Sequence, residues 1–255
     1  MPEHDRARGH ALGERGTRAG EGEREEGNTD GCYHRPQFSP IVEGDARMLL
    51  VIPGVLKKEE VDAVMRELTQ DAYEDGRKSA GLVAREVKNN LQARRDAEAV
   101  KKCAPLILEA LRRNGTFYNA ALPHRMHGPI FNRYDVGMTY GSHVDNAIMG
   151  DTNSVRSDVS ATLFLAAPDT YDGGELVIQE HHGERKIKLP AGSMVVYAST
   201  NVHRVQPVTR GSRIAAIFWI QSLVREESKR DILFDFAEIL MGVRQKLDAN
   251  EQMAL

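Results

Sequence analysis

Three residues of this chain have the types and spacing of a ligand set for one metal ion. His143 and Asp145 are separated by a single residue in the segment TYGSHVDN. On an extended backbone, residues i and i+2 point to the same side, so an imidazole nitrogen and a carboxylate oxygen could meet at one ion. A third ligand from elsewhere would complete a face of three and leave positions open. That two-histidine, one-carboxylate arrangement is typical of non-haem Fe(II) oxygenases.

His203 is the best candidate for the third ligand among the nine histidines of the chain. It begins a predicted strand that follows the apolar run Met194 to Tyr197. Other histidines lie near the N-terminus or at a predicted hairpin tip: His4, His10, His34, His181 and His182. Two alternatives remain open, since a lone His-x-Asp tripeptide also suits a solvated loop and His203 also suits a structural histidine.

Arg213 follows His203 by ten residues and opens the apolar strand IAAIFWIQ. An arginine that enters so apolar a strand needs an anionic partner or a route to solvent. If residues 209–211 form a hairpin loop, Arg213 lies beside Pro207, about 13 Å of backbone from His203. The guanidinium could then hold the far carboxylate of a short dicarboxylate that chelates the metal. A surface salt bridge is the alternative.

Helices and a short strand are predicted for the first half of the ordered chain. Met48 to Ile52 is typical of a buried strand, and Lys58 to Gln70 has apolar residues at helical spacing. A second helix is predicted over Ala97 to Arg113, with Ala104, Leu108 and Leu111 on its buried side and Gly115 as its stop.

From Met126 onward the apolar pattern is that of short strands separated by turns. Seven segments are predicted as strands, at 126–134, 158–166, 175–179, 185–189, 193–197, 203–208 and 213–221. This spacing favours a β-sandwich or barrel. A helix follows, with an apolar stripe formed by Ile232, Leu233, Phe236, Ile239, Leu240 and Val243. We expect the stripe to pack on the protein's own core, with a homodimer through this helix as the alternative.

Composition indicates a soluble cytoplasmic protein. Hydrophobic residues make up 41% and charged residues 28%, and a formal net charge of -3 gives no reason to expect a nucleic-acid partner. Two cysteines are too few for a disulfide framework. No apolar run approaches the roughly 20 residues that cross a bilayer, and the first residues lack the apolar core of a signal peptide. Residues 1–45 are predicted to be a disordered tail.

Several motifs in one order resemble the prolyl-4-hydroxylase-like superfamily, and more narrowly the bacterial PKHD-type hydroxylases. The His-x-Asp pair is followed by the turn Gly173-Gly174-Glu175-Leu176, by P-x-G-x-x-x-x-Y from Pro190, and by H-x-V-x-P-V-x-x-G-x-R from His203. Further matching segments are VKNN, LPHRMHGPIFNRY, SDVSATLFLA, YDGGELVI, LPAGSMVVY and FWIQS. The resemblance covers roughly residues 48–235.

The resemblance implies an α+β, mainly β fold, a double-stranded β-helix (jelly-roll) core with flanking N-terminal helices and a C-terminal helix. The implied domain spans residues 46–222, with a helical part at 46–122 and the jelly-roll at 123–222, before a helical extension at 223–255. The implied activity is a hydroxylase that uses Fe(II), 2-oxoglutarate and O₂ and releases succinate and CO₂, with ascorbate as an accessory reductant.

The same resemblance assigns roles to individual residues. It implies His143, Asp145 and His203 as iron ligands and Arg213 as the 2-oxoglutarate anchor. Further candidates for binding 2-oxoglutarate are Tyr134 and Thr162, with strand packing as the alternative for both. Lys88, Asn89 and Asn90 are candidates for the mouth of the site, and Trp219 is expected in the core.

Two other functions remain open from the sequence alone. One is a barrel that binds metal and 2-oxoglutarate as a sensor or scaffold without turnover, against which an intact Arg213 argues. The other is a zinc hydrolase, since two histidines and a carboxylate also suit Zn²⁺, although no general-base motif such as HExxH is present. The substrate, whether a small molecule or a peptide, is not specified by any of these residues.

Deleting the residues before Asp45 is expected to leave folding and iron binding intact. Between Pro2 and Gly31 the only large aliphatic residue is Leu12, so this segment has almost no apolar surface to contribute to a core. The melting temperatures of the full and truncated chains, measured with and without Fe(II), provide the check. A loss of more than a few degrees on truncation would contradict the prediction.

Overall fold

A computed structural model describes residues 49–247 of the chain, apart from residues 80, 152 and 181. The chain divides into two units, Met1–Val42 and Glu43–Leu255, and every described residue belongs to the second. The predicted tail and Met48 therefore lie outside the described residues. None of the helices in the described ranges is long and apolar enough to span a membrane.

The larger sheet has seven antiparallel strands in the order β1-β13-β9-β16-β5-β4-β2. Its four central strands come from the C-terminal half: β13 (Met194–Ala198), β9 (Val159–Phe164), β16 (Arg213–Ser222) and β5 (Pro123–Tyr134). Its outer strands come from the N-terminal half: β1 (Leu49–Ile52), β4 (Leu91–Ala93) and β2 (Tyr73–Asp75). The part predicted to be helical thus also widens the sheet.

The smaller sheet has five antiparallel strands in the order β12-β11-β14-β6-β3. They are β12 (Gly183–Ile187), β11 (Leu176–Glu180), β14 (His203–Val205), β6 (Thr139–His143) and β3 (Lys88–Asn89). Two short pairs complete the strands: β7 (Ile148–Met149) with β8 (Val155–Arg156), and β10 (Asp172–Gly173) with β15 (Val208–Arg210).

The chain passes repeatedly between the two sheets. Strands β5, β9, β13 and β16 lie in the larger sheet, and β6, β11, β12 and β14 lie in the smaller one. Eight strands in two antiparallel sheets connected in this way form a jelly-roll. The predicted double-stranded β-helix is confirmed. Each predicted strand overlaps an observed one, but the segment 203–208 is broken, because β14 ends at Val205 and β15 begins at Val208.

Helices cover the outer face of the larger sheet. They are α1 (Lys58–Glu67), α3 (Glu98–Arg112) and α4 (Gly115–Ala121). Two further helices lie elsewhere: α2 (Leu82–Val87) contacts β6 of the smaller sheet, and α5 (Glu227–Arg244) contacts α4. Apolar side chains of α1, α3 and α4 join one face of the sheet in the main core, while a second core cluster lies between the sheets. Gly115 begins α4 rather than stopping the preceding helix. Of the residues predicted on the buried side of α3, Leu111 is buried as expected, whereas Ala104 and Leu108 are only half-buried. Cys103 and Ile107 are buried in their place.

The expectation that the apolar stripe of the C-terminal helix packs on the core is wrong. Ile232, Phe236 and Ile239 are 57–68% exposed on α5. The buried side of the helix instead includes Arg230, whose Nη1 donates to the carbonyl oxygens of Val224 and Arg225. Apolar spacing predicted the stripe correctly, but the helix contacts α4 while the stripe residues stay exposed and Arg230 is buried. Dimerisation through this helix stays a prediction.

The Gly-Gly turn is required by the backbone around it. Gly173 and Gly174 have φ values of +69° and +65°, a conformation that residues with a Cβ rarely adopt. A Cβ on Gly173 would lie 2.1 Å from the carbonyl oxygen of Pro207, the residue that precedes β15. Only glycine therefore permits this approach of the two chain segments.

Gly173→Ala is expected to lower the melting temperature by about 4 °C or more. The strained backbone alone costs about 1–3 kcal/mol, and a kcal/mol shifts the melting temperature of a chain of this size by roughly 2–4 °C. Gly115→Ala is the matched control, because a Cβ there meets no atom within 4 Å and alanine favours the first turn of α4. Thermal unfolding followed by circular dichroism compares the two. Equal melting temperatures for the two variants would contradict the explanation.

Candidate metal centre

The pairing of two strands in the smaller sheet brings the three predicted ligands together. His143 ends β6, His203 begins β14, and these two residues are direct partners in the antiparallel register. Asp145 follows the end of β6, and its Oδ2 lies 3.9 Å from Nε2 of His203. One ligand atom from each residue lies within 4.8 Å of the other two. Two imidazoles and one carboxylate on one side suit a divalent first-row ion with positions left open.

Backbone carbonyls orient both imidazole rings. Nδ1 of His143 lies 2.8 Å from the carbonyl oxygen of Gly141, and Nδ1 of His203 lies 3.0 Å from that of Asn201. A carbonyl oxygen only accepts, so each Nδ1 carries the proton and donates it. Nε2 of each ring is then left with its lone pair, which is the form that binds a metal.

A chain of three serine hydroxyls supports the carboxylate of Asp145. Ser160 Oγ donates to Asp145 Oδ2 at 2.6 Å and lies 2.7 Å from Ser199 Oγ, which accepts from Ser157 Oγ at 3.1 Å. The three serines are buried. They were missed at the sequence level, although the alternation of Ser160 and Thr162 along SDVSATLFLA places both on the same face of β9.

Burial keeps the His143 imidazole neutral. Burial, and then the neighbouring His203 ring, lower the pKa of His143 to about 4. The ring also stacks on Tyr140, with 3.8 Å between centroids. At neutral pH the ring is therefore unprotonated at Nε2 and does not need to lose a proton before it binds a metal.

Arg213 is buried without an anionic partner. The residue is only 1% exposed, and none of its three guanidinium nitrogens has a hydrogen-bond partner among the described residues. The guanidinium carbon lies 5.2 Å from the ring centroid of Tyr134 and 5.4 Å from that of Phe164. Aromatic faces attract a cation only weakly compared with the loss of its hydration, so the site requires an anion.

The path of the chain between His203 and Arg213 differs from the predicted hairpin. His203 lies in the smaller sheet, whereas Arg213 begins β16 of the larger sheet and pairs with Tyr134. Between them, β15 pairs with β10. The two residues line one cavity from separate sheets. Gly174 leaves room for the arginine, since a Cβ there would lie 3.2 Å from Arg213 Cδ.

The cavity between the sheets has a volume of about 280 Å³ and contains most of the predicted site residues. Both candidates for binding 2-oxoglutarate line it, and both are buried: Tyr134 and Thr162. Burial raises the pKa of Tyr134 to about 12, so its hydroxyl keeps its proton and can donate. Their contact with 2-oxoglutarate stays a prediction.

The structure corrects the placement of three other residues. Trp219, expected in the core, is half-buried and lines the cavity beside His127. Of the three candidates for the mouth, only Lys88 lines the cavity. Asn89 is exposed. Asn90 is buried outside the lining of the cavity, and its Nδ2 donates to Oδ1 of Asn132.

Replacing any one predicted metal ligand by alanine is expected to abolish tight Fe(II) binding in a chain that stays folded, since two ligands hold a labile ion poorly.

Ser160→Ala should weaken Fe(II) binding by about 10–100-fold, because the Asp145 carboxylate loses the donor that orients it. Thr170→Ala serves as the control, because its hydroxyl bonds only a carbonyl on the exposed surface. Anaerobic Fe(II) titrations measure the affinities. Wild-type iron affinity in an alanine variant would remove that residue from the site.

Comparison with known proteins identifies the family. Residues 129–221 match the profile of the 2OG-Fe(II) oxygenase superfamily. A PKHD-type hydroxylase of Burkholderia ambifaria is 50% identical over 192 residues, which are 74% of this chain and 85% of that protein. A second, from Methylobacterium nodulans, is 46% identical over 211 residues, or 82% of this chain and 93% of that protein.

Among solved structures, a prolyl-4-hydroxylase of Pseudomonas putida aligns with 70% of this chain and 94% of its own. It is 21% identical, with a TM-score of 0.48. The curated relatives, in contrast, have high identity over most of their length. The chain therefore belongs to the PKHD-type hydroxylases of the 2OG-Fe(II) oxygenase superfamily and is a 2-oxoglutarate-dependent dioxygenase of that family.

Proposed function

We propose that this enzyme hydroxylates its substrate with Fe(II) held by His143, Asp145 and His203 and with 2-oxoglutarate held by Arg213. The observation that carries the proposal is the buried, unpartnered guanidinium of Arg213 in the cavity that the three metal-binding candidates line. A cation and a metal site that share a cavity suit a ligand that chelates the metal at one end and carries a carboxylate at the other.

The three metal-binding residues fit Fe(II) by charge as well as by donor type. Both imidazoles offer Nε2, because each Nδ1 donates to a backbone carbonyl. Asp145 supplies one negative charge, so a divalent ion would keep a net positive charge that attracts an anionic chelate. With three protein ligands on one side, the remaining positions are left for small molecules.

Arg213 and its neighbours select a carboxylate. The planar guanidinium can donate two parallel hydrogen bonds to a carboxylate, which an ammonium cannot do. Tyr134 lies beside it with a protonated hydroxyl that can donate to the same group. Because both residues are buried, the pairing occurs away from water, where charged hydrogen bonds are strongest.

The protein's contribution is position, charge and exclusion of water. When bound, Fe(II), 2-oxoglutarate and O₂ supply the oxidative decarboxylation of 2-oxoglutarate to succinate and CO₂ that is coupled to substrate hydroxylation. No side chain has to act as a nucleophile. Succinate release that depends on 2-oxoglutarate separates this function from a sensor that binds the same ligands without turnover.

We also propose a cytoplasmic location. Cys103 is a free thiol, and its burial raises its pKa to about 11. A ferrous site is also easier to maintain in a reducing compartment. Fractionation of cells followed by immunodetection tests this proposal.

Replacing Arg213 by methionine is expected to leave Fe(II) affinity nearly unchanged and to weaken 2-oxoglutarate binding by about 2–5 kcal/mol, because one side of a desolvated charge pair is lost. Arg213→Lys should be intermediate, since an ammonium keeps the charge without the planar fork. Anaerobic titration of 2-oxoglutarate into each iron-loaded variant, followed by the absorbance of the chelate, gives the affinities.

Arg210→Met is the matched control for Arg213. It removes an exposed arginine from the neighbouring strand β15, where it pairs with Asp172. This variant should bind 2-oxoglutarate like the wild type. Equal affinities in the wild type and Arg213→Met would remove the cosubstrate role, and a parallel loss of iron and 2-oxoglutarate would make Arg213 a structural residue of the barrel.

A further inference from the structure

The cavity contains a second buried cation, Lys88, that the proposed binding of Fe(II) and 2-oxoglutarate does not use. Lys88 lies on β3, the edge strand of the smaller sheet, and the residue is only 8% exposed. Its side chain lines the same cavity as the metal-binding candidates. A lysine this deeply buried requires an explanation, because lysine is almost never fully buried unless its charge is paired.

The partners of the Lys88 ammonium are neutral. Nζ donates to Ser79 Oγ at 3.1 Å and to Gln92 Oε1 at 3.3 Å. Asp75 is the carboxylate that favours the charged form of Lys88 from a distance, and Arg77 donates hydrogen bonds to both oxygens of Asp75. Within the described ranges, Lys88 forms no ion pair. Among these residues, its positive charge therefore has no carboxylate paired directly with it.

The ammonium is nevertheless the main form at neutral pH. Burial lowers the pKa of Lys88 to about 8, which leaves it mostly protonated at pH 7. An ammonium group has three donors, and the two protein acceptors use only two of them. One N–H of the ammonium is thus free to donate to a group that enters the cavity, and the positive charge can attract that group if it is an anion.

Lys88 lies close to the metal centre but on a different wall from Arg213. Its Nζ is 5.5 Å from the ring centroid of Tyr140, the ring that stacks on His143. Its bond to Gln92 joins β3 of the smaller sheet to β4 of the larger one at one edge of the sandwich. Arg213 lies on β16 within the larger sheet, between Tyr134 and Phe164. The two cations can therefore bind two separate anions.

We propose that Lys88, with Ser79 and Gln92, forms the subsite for a carboxylate of the substrate, which is a short organic acid. The inference rests on the proposed function, because it requires Arg213 to hold the carboxylate of 2-oxoglutarate. The cavity also has aliphatic and aromatic side chains in its lining that would contact the carbon chain: Ile130, Ile217 and Trp219. The carboxylate binds at Lys88, and the carbon to be hydroxylated lies toward the metal.

A comparison of two probes of equal length tests the subsite. Pentanoate and 1-pentanol are titrated by calorimetry into the full chain, loaded anaerobically with Fe(II) and saturated with 2-oxoglutarate. The wild type is expected to bind pentanoate at least tenfold more tightly than 1-pentanol. Lys88→Met and Lys88→Gln should abolish this preference, and Lys88→Arg should keep it. Lys101→Met, which removes an exposed lysine from α3, is the control and should behave like the wild type.

Stability and 2-oxoglutarate affinity distinguish binding from a structural role. Removing a buried charge with neutral hydrogen-bond partners should leave the melting temperature of Lys88→Met within about 2 °C of the wild type, or raise it. Its affinity for 2-oxoglutarate should stay within about twofold of the wild type. A loss of 2-oxoglutarate affinity like that of Arg213→Met would assign Lys88 to the cosubstrate and overturn the inference.

The Arg213→Met variant separates failure of this inference from failure of the proposed function. The proposed function fails if the wild type does not bind 2-oxoglutarate, or if Arg213→Met binds it as tightly as the wild type. In either case the subsite is tested separately by measuring the preference for pentanoate in Arg213→Met. The preference should persist in that variant and disappear in the double variant Arg213→Met, Lys88→Met. The inference is overturned if the wild type shows no preference, or if the preference survives in both neutral variants of Lys88.

Discussion

The antiparallel pairing of β6 with β14 is the constraint on which the active site depends. It sets His143 directly opposite His203, and the side chains of a strand alternate between its two faces. A slip of one residue would turn one imidazole away from the cavity. Asp145 lies beyond the end of β6 and is held by Ser160 of the opposite sheet. The metal site is therefore complete only when the smaller sheet is in register and the larger sheet is packed against it.

The three candidate metal ligands could be picked out from the sequence because their signal is local, whereas the path of the chain between them could not. The His-x-Asp spacing and the apolar context of His203 and Arg213 are properties of a few neighbouring residues. Which sheet a strand joins depends on distant partners. The expected hairpin placed Arg213 beside Pro207, but β15 pairs with β10 and the chain then enters the larger sheet. The buried position of Arg213 rules out the surface salt bridge that the sequence left open, but its pairing with an anion stays a prediction.

Apolar periodicity predicts that a face exists but not what covers it. The stripe of α5 is present as predicted, yet the helix buries the side that carries Arg230. Trp219 shows the same limit in a strand. It was expected in the core, but whether a buried side chain of β16 lies in a core or beside a cavity depends on the volume left by other strands. Here the space beside it stays open, and Trp219 becomes part of the wall.

The serine chain behind Asp145 has a direction. A carboxylate that binds a metal can only accept, so the proton of Ser160 points to Asp145, that of Ser199 points to Ser160, and that of Ser157 points to Ser199. Three O–H dipoles are thus aligned with their positive ends toward the metal ligand, in a buried region where little water screens them. An amide at position 145 could present an N–H to Ser160 and reverse the whole series. Asparagine, although nearly the same shape as aspartate, would therefore change the polarity of the interior as far away as Ser157.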